Sequence, residues 1–459
     1  MDNQQKRTHI LRGNIVYTDS PRNLVTKDRA FLVCADGICR GVFDTLQDAQ
    51  NALSEARNTL PEQTGNTSMQ PVADVPVEDF GDKLIIPGLV DLHLHAPQYA
   101  YRGLGMDMDL VDWLNNVTFP EEAKYAEITY AARAYDQFVS ELQQTATTRM
   151  CVFGTIHPES TLLLARKLSE AGFGAYVGKV NMDRNSPESL CEESATASFT
   201  ATMDYLRKFA FLRAQGKITD RVHPILTPRF IPSCSRELME ELGELARQQD
   251  LKVQSHLSES KREIEWVAEL EPEVAFYGDC YARAGMMGNP ITSVMAHCIW
   301  SSPEEIQMMK DGGVFIAHCP QSNTNLASGI APIRHYLEEE LRLGLGTDIA
   351  GGFSRSVFRA IADAIQVSKL YFRHVDETKQ PLTLSEAFYM GTMGGGAFFG
   401  KVGSFLDGYD FDAVVIDDSG LASVCSMNTA ERIERTVYMP ELCSIVAKYV
   451  AGERITWNS

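Results

Sequence analysis

LIIPGLVDLHLH, residues 84–95, is an apolar, β-rich run that ends in two histidines two positions apart. Side chains at i and i+2 of a strand point to the same side, so His93 and His95 can grip one ion together. Seven further runs of this kind follow: TTRMCVFGT (147–155), GAYVGKVNM (174–182), RVHPILTPRF (221–230), LKVQSHLSE (251–259), TSVMAHCIW (292–300), GVFIAHCP (313–320) and LRLGLGTD (341–348). Amphipathic stretches separate them, among them ESTLLLARKLSEAG, SRELMEELGELARQQ and SPEEIQMMKDGG. The last two open on Ser235 and Ser302, which are N-cap residue types. Eight strand–helix repeats predict an α/β fold, a (β/α)8 TIM-type barrel.

In such a barrel the reactive side chains sit at the carboxyl ends of the strands. His93 and His95 end the first run, and His256 nears the end of the fifth, with Glu259 three residues on. The sixth carries His297, the seventh His318, and the eighth ends in Asp348. Five of the ten histidines therefore fall at strand ends. A lone histidine is more often a hydrogen-bonded core residue. Imidazoles and a carboxylate converging where the fold rule expects reactive groups are the donors of a catalytic zinc site, which keeps a position for water.

Outside this middle region both chain ends have β character. THILRGNIVY, AFLVCADGIC and GVF within 8–43, and FDAVVIDDSG and AERIERTVYM near the other end, read as strands. Between 44 and 83 lie a helix-like piece, LQDAQNALSEARNTL, and a Pro/Gly/Asn-rich loop. Lys plus Arg is 42 and Asp plus Glu is 61, so the net charge is 42 − 61 = −19, which argues against a nucleic-acid groove. With 44% hydrophobic and 22% charged residues the chain has the balance of a globular protein. No apolar run is long enough to span a membrane, and the N-terminal stretch does not read as a secretory signal. None of the ten cysteines forms a C-x-x-C pair, which disfavours zinc ribbons, thioredoxin-like motifs and the P-C-x-x-C signature of small zinc nucleobase deaminases. Free thiols in a reducing cytoplasm are the expectation.

PGLVDLHLH, SHLSE, MAHC and GLGTD together resemble the amidohydrolase superfamily, metal hydrolases on a (β/α)8 barrel with a small β-sandwich built from both chain ends. The resemblance implies residues 1–83 and 401–459 as the two parts of that sandwich and 84–400 as the barrel. HAPQYAYRGLG (95–105), LVDWLNNVTFPEE (110–122) and TPRF (227–230) narrow it, because they resemble guanine deaminases. By that resemblance His93, His95, His256 and Asp348 hold zinc, and Glu259 and His297 act with Asp348 in catalysis. Gln98, Arg229, Phe230 and His256 contact the purine. Structural alternatives stand beside these roles: Gln98 as a partner of loop backbone, Arg229 in an ion pair, Phe230 in the core. Trp113 and Phe119 either line the pocket or pack a helix, with packing favoured, and His318 either supports the metal ligands from behind or orders the loop, rather than ligating.

Binuclear members of the superfamily use a carboxylated lysine at the end of the fourth strand. RVHPILTPRF has none, and Lys179 lies on the third run, so one ion is expected. Imidazole and carboxylate favour zinc, although iron accepts the same set. The implied reaction is hydrolysis of the 2-amino group of guanine to xanthine and ammonia. A related heterocycle such as 8-oxoguanine or a pterin is the alternative substrate, and a metal-free scaffold a distant one. A cytoplasmic homodimer acting on a small molecule, with no nucleic-acid or membrane partner, completes the expectation.

Overall fold

The computed structural model describes residues 7–59 and 75–457. They form two compact units. One comprises the chain up to Val90, Gln143–Thr148 and everything from Thr383 onwards; the other is Asp91–Leu142 with Arg149–Leu382.

The first unit is built on a seven-stranded sheet in the order Glu453–Ile455, Ser444–Val450, Ala413–Asp417, Val77–Pro87, His9–Ser20, Asn23–Ala35, Ile38–Phe43. Both chain ends supply strands, as expected. All pairings are antiparallel except that of His9–Ser20 with Val77–Pro87. Period-2 alternation sorts the core. Leu11, Leu32 and Val415 bury on one face with Tyr449, while Ile10 and Val33 bury with Ala49 and Leu53 of the helix Leu46–Thr59. That helix realises LQDAQNALSEARNT; the loop expected after it lies largely outside the described residues.

AERIERTVYM, read above as a strand, is instead the helix Thr429–Tyr438. Asn428 and Glu431 form a capping box at its start, and Ile433 and Val437, four apart, are both fully buried. The helical period and the cap outweigh the β-branched content.

The stretch 84–95 also divides. Val77–Pro87 belongs to the seven-stranded sheet, and Leu89–His95 starts the barrel. Gly88 joins them where a Cβ would stand 2.0 Å from Thr148 Oγ1, so only glycine fits.

The parallel strands run Leu89–His95, Thr147–Phe153, Gly174–Gly178, Val222–Pro224 and then Val253–Leu257, Ser293–His297, Phe315–His318, Arg342–Leu345, the first two beginning in the first unit. A parallel bridge from Leu226 to Val253 joins the two sets of four. Asp348 N donates to His93 O and His95 N to Ile349 O, both at 2.8 Å, which returns the eighth strand end to the first. These eight strands are the eight runs read from the sequence, and they form the expected (β/α)8 barrel. Ser235 and Ser302 cap the helices Arg236–Gln249 and Pro303–Gly312, each accepting from the N–H three residues on. Among the described residues no helix is long and apolar enough to cross a membrane.

Candidate active site

The first, fifth, sixth and eighth strands deliver their histidines and Asp348 at or just past their carboxyl ends. His93, His95 and Asp348 form one group whose ligand atoms lie within 4.8 Å of one another, and His93, His256 and His297 form another. His93 Nε2 is 3.2 Å and His95 Nε2 3.5 Å from Asp348 Oδ1. His256 Nδ1 donates to Arg229 O at 2.6 Å, which fixes the tautomer and leaves Nε2 as an acceptor. That Nε2 faces His95 Nε2 at 3.2 Å, and the buried His93 Nε2 has no hydrogen-bond partner. Burial holds the His93, His95 and His256 rings below the ordinary imidazole pKa. Lone pairs of neutral imidazoles turned toward one another beside a carboxylate are a donor set for a transition metal.

Around this group stand Glu259 and His297. Glu259 Oε2 is 3.4 Å from His297 Nε2, and Oε1 accepts from Ser328 Oγ at 3.0 Å. His297 Nδ1 is bonded to Asn323 Oδ1 at 2.8 Å, so its Nε2 is aimed between Glu259 and Asp348, the latter at 3.8 Å. The two carboxyls are driven apart. Burial, helped by Asp348, raises Glu259 above the usual range, against His297, Ser328 and Arg229. Burial also opposes ionisation of Asp348, but His93, His297 and His95 outweigh it and hold Asp348 well below that range. Backbone strain gathers here as well: His297 has φ +73° and Asp348 φ +47°, a region that side chains beyond Cβ seldom adopt.

A pocket opens at these groups, lined also by Gln98, Leu110, Trp113, Leu114, Arg229 and Phe230. Gln98 comes from the turn Ala96–Tyr101 that follows the first strand, and Arg229 and Phe230 follow Thr227–Pro228. All four residues expected to contact the purine, His256 among them, thus line one pocket. Arg229 is nevertheless ion-paired, as its structural alternative required: Nη1 and Nη2 donate to Glu122 at 2.7 and 3.3 Å. Two of its five N–H donors are used in this way. Gln98 Nε2 also donates to Glu122, at 2.7 Å, and Gln98 Oε1 accepts from Ala350 N at 2.9 Å. Glu122 was not singled out in the sequence. It closes the stretch LVDWLNNVTFPEE, but it lies 107 residues from Arg229, so spacing alone gives it no partner.

Trp113 packs, with Nε1 donating to Leu104 O at 3.0 Å, and also walls the pocket. Phe119 sits in a buried cluster with Phe153 and under the Arg229 guanidinium, 5.3 Å from ring centroid to Cζ. Phe230 is half-buried, edge-on to Trp266, and not plain core. His318 is buried with no hydrogen-bond partner at either ring nitrogen, so it does not order the loop by hydrogen bonding. Lys179, on the third run, is buried, ion-paired with Glu192 and bonded to Ser198 at 3.4 Å.

The Amidohydrolase family matches residues 84–454. A Dictyostelium discoideum chain named guanine deaminase is 38% identical over 386 residues, covering 83% of this chain and 84% of its own. One of that name from Rattus norvegicus is 38% identical, covering 81% and 83%. A crystal structure of guanine deaminase from C. acetobutylicum with bound guanine in the active site is 41% identical, with a TM-score of 0.88 over 98% of this chain and 100% of that one. With most of its length matched in sequence and in fold, the chain belongs to the amidohydrolase family.

Proposed function

We propose that this chain hydrolyses the 2-amino group of guanine, giving xanthine and ammonia. One observation carries the reading: the His/Asp/Glu cluster and Gln98, Arg229 and Phe230 line a single pocket. The related chains named guanine deaminase, one of them solved with guanine, support it.

His93, His95, His256 and Asp348 would hold one metal ion, with zinc favoured by this donor set. The absence of a lysine at the fourth-strand end supports a single ion. When bound, zinc lowers the pKa of water from about 15.7 to about 7 and so supplies a nucleophile at neutral pH. Asp348, held ionised by its histidines, takes the proton of the attacking water. His297, fixed through Nδ1 by Asn323, orients the water with Nε2. Attack at carbon 2 moves electrons to ring nitrogen 3. Glu259, whose environment favours the protonated form, protonates that nitrogen and then helps deliver a proton to the departing amine. The remaining Arg229 donors meet oxygen 6 and nitrogen 7, an acceptor pair that adenine lacks, and the Gln98 amide meets the polar purine edge. Phe230 flanks the ring, and His256 touches the substrate as well as the metal. Ten cysteines without a disulfide suit a reducing compartment, and the reading extends to a cytoplasmic homodimer.

The test is ammonia release from guanine, 8-oxoguanine, pterins, adenine and cytosine by metal-loaded protein, with elemental analysis alongside. Guanine should be turned over fastest, with one metal per chain and activity lost on its removal. Faster turnover of a pterin, or full activity without metal, overturns the reading.

A further inference from the structure

Three separate segments meet at one carboxylate. Gln98 follows the first strand, Glu122 ends the short helix Phe119–Glu122, and Arg229 follows Thr227–Pro228. Glu122 Oε1 accepts from Gln98 Nε2 at 2.7 Å and from Arg229 Nη2 at 3.3 Å, while Oε2 accepts from Arg229 Nη1 at 2.7 Å. All three side chains are at least nine-tenths buried. A carboxylate and a guanidinium in such a place persist only as a pair with their hydrogen bonds made. Glu122 therefore decides two things about the pocket wall. It settles which end of the Gln98 amide points which way, since Oε1 is committed to Ala350 N and Nε2 to Glu122. It also engages Nη1 and Nη2 of Arg229 and balances its charge.

We propose that Glu122 is a positioning residue for substrate recognition, an inference that rests on the guanine reading: it aims Gln98 and Arg229 at the purine and, by neutralising Arg229, tunes the pocket to a neutral, carbonyl-bearing heterocycle rather than an anion. Glu122 touches no reacting atom in this scheme, so its loss acts through binding. The charge argument separates this role from a merely structural one, because damage to the fold weakens every ligand, whereas an uncompensated guanidinium strengthens anions.

The experiment compares Glu122→Gln and Glu122→Asp with the wild type as metal-loaded enzymes. KM and kcat are read for guanine, and inhibition for urate, a purine that is an anion at neutral pH. Glu122→Gln should raise KM for guanine about tenfold or more, change kcat less than about threefold, and tighten urate inhibition about fivefold or more. Glu122→Asp keeps the charge and shortens the reach. It should raise KM with kcat held and leave urate unchanged, and it decides the positioning role if the Gln variant does not fold. Unchanged KM in both variants, or urate weakened in step with guanine, overturns the proposal. Wild-type turnover checks the functional reading separately. If another heterocycle of the panel is the substrate, that reading fails, and the same comparison on that heterocycle decides the role of Glu122.

Discussion

Glu259 and Asp348 flank the same imidazole, His297, with nearest oxygens 3.4 and 3.8 Å from its Nε2. Two carboxyls so placed divide labour when their surroundings push their pKa values in opposite directions. Here burial favours the protonated form of Glu259, while three histidines favour the ionised form of Asp348. Glu259→Gln keeps an oxygen to accept from Ser328 and removes the transferable proton. The variant should fold and retain metal but lose kcat by roughly 10²–10⁴-fold, the usual contribution of a positioned acid–base group. A fall of less than about tenfold with the metal in place assigns the proton transfer elsewhere. At this scale the sequence was legible where residue type and strand end coincide. The histidines and Asp348 announce themselves because few groups bind metals and the barrel rule says where to look. Arg229 was legible as a pocket residue, but its counterion was not. A carboxylate that pairs across the barrel leaves no local pattern, since only tertiary packing brings FPEE beneath TPRF.

The turn from the fifth strand into the helix Lys261–Leu270 shows how an element sets a catalytic residue. Ser258 takes φ +47° directly before Glu259. Ser260 then caps the helix, accepting from Glu263 N at 3.1 Å, and Glu263 reaches back to the Glu259 N–H at 3.1 Å. Tyr277 Oη donates to Glu263 Oε1 at 2.7 Å. Burial and then Glu259 push the Glu263 carboxyl up to about 7. The cap and the reach-back bond are separable. Ser260→Ala should cost about 1 kcal/mol of stability in denaturant titration, as for other N-cap losses, while kcat stays within about twofold because Glu263 still holds Glu259 N. A stability change near zero shows that the helix start is held by Glu263 and Tyr277 without the serine. Caps were the readable part of the elements, since Ser235 and Ser302 start their helices where the sequence put them. Breaks between consecutive strands were less so. Pro87–Gly88 breaks what reads as one apolar run, because both halves are equally hydrophobic and only the packing against Thr148 divides them. AERIERTVYM misleads for a related reason: its β-branched residues occupy one face at helical spacing.

Taken as a whole, the barrel buries histidines that its proposed chemistry does not use, and they make its stability depend on pH. His318 is held down to about 3, by burial first and the charge of His297 second. His223 is held down to about 4 by burial, with Arg213 and Lys252 adding to it. An unfolded histidine titrates near 6.5, so below about pH 6.5 the unfolded chain binds protons that the native state refuses. Stability from these groups is therefore complete above about pH 6.5 and declines as the pH falls toward their folded values. For the fully buried His318 the slope reaches about 1.4 kcal/mol per pH unit, and for the partly exposed His223 it is smaller. His318 gives the cleaner test, because neither ring nitrogen makes a hydrogen bond that a substitution would break. His318→Leu replaces it with an apolar chain of similar bulk. Urea denaturation of metal-free wild type and variant between pH 4 and 8 should give parallel curves above about 6.5 and diverging ones below, with the variant losing less stability on acidification by about 1.4 kcal/mol per unit. Other buried histidines, including His93, His95 and His256, contribute to both curves and cancel in the difference. Curves that stay parallel down to pH 4 mean that His318 takes up its proton in the folded barrel, and the acid sensitivity then belongs to the metal-site histidines.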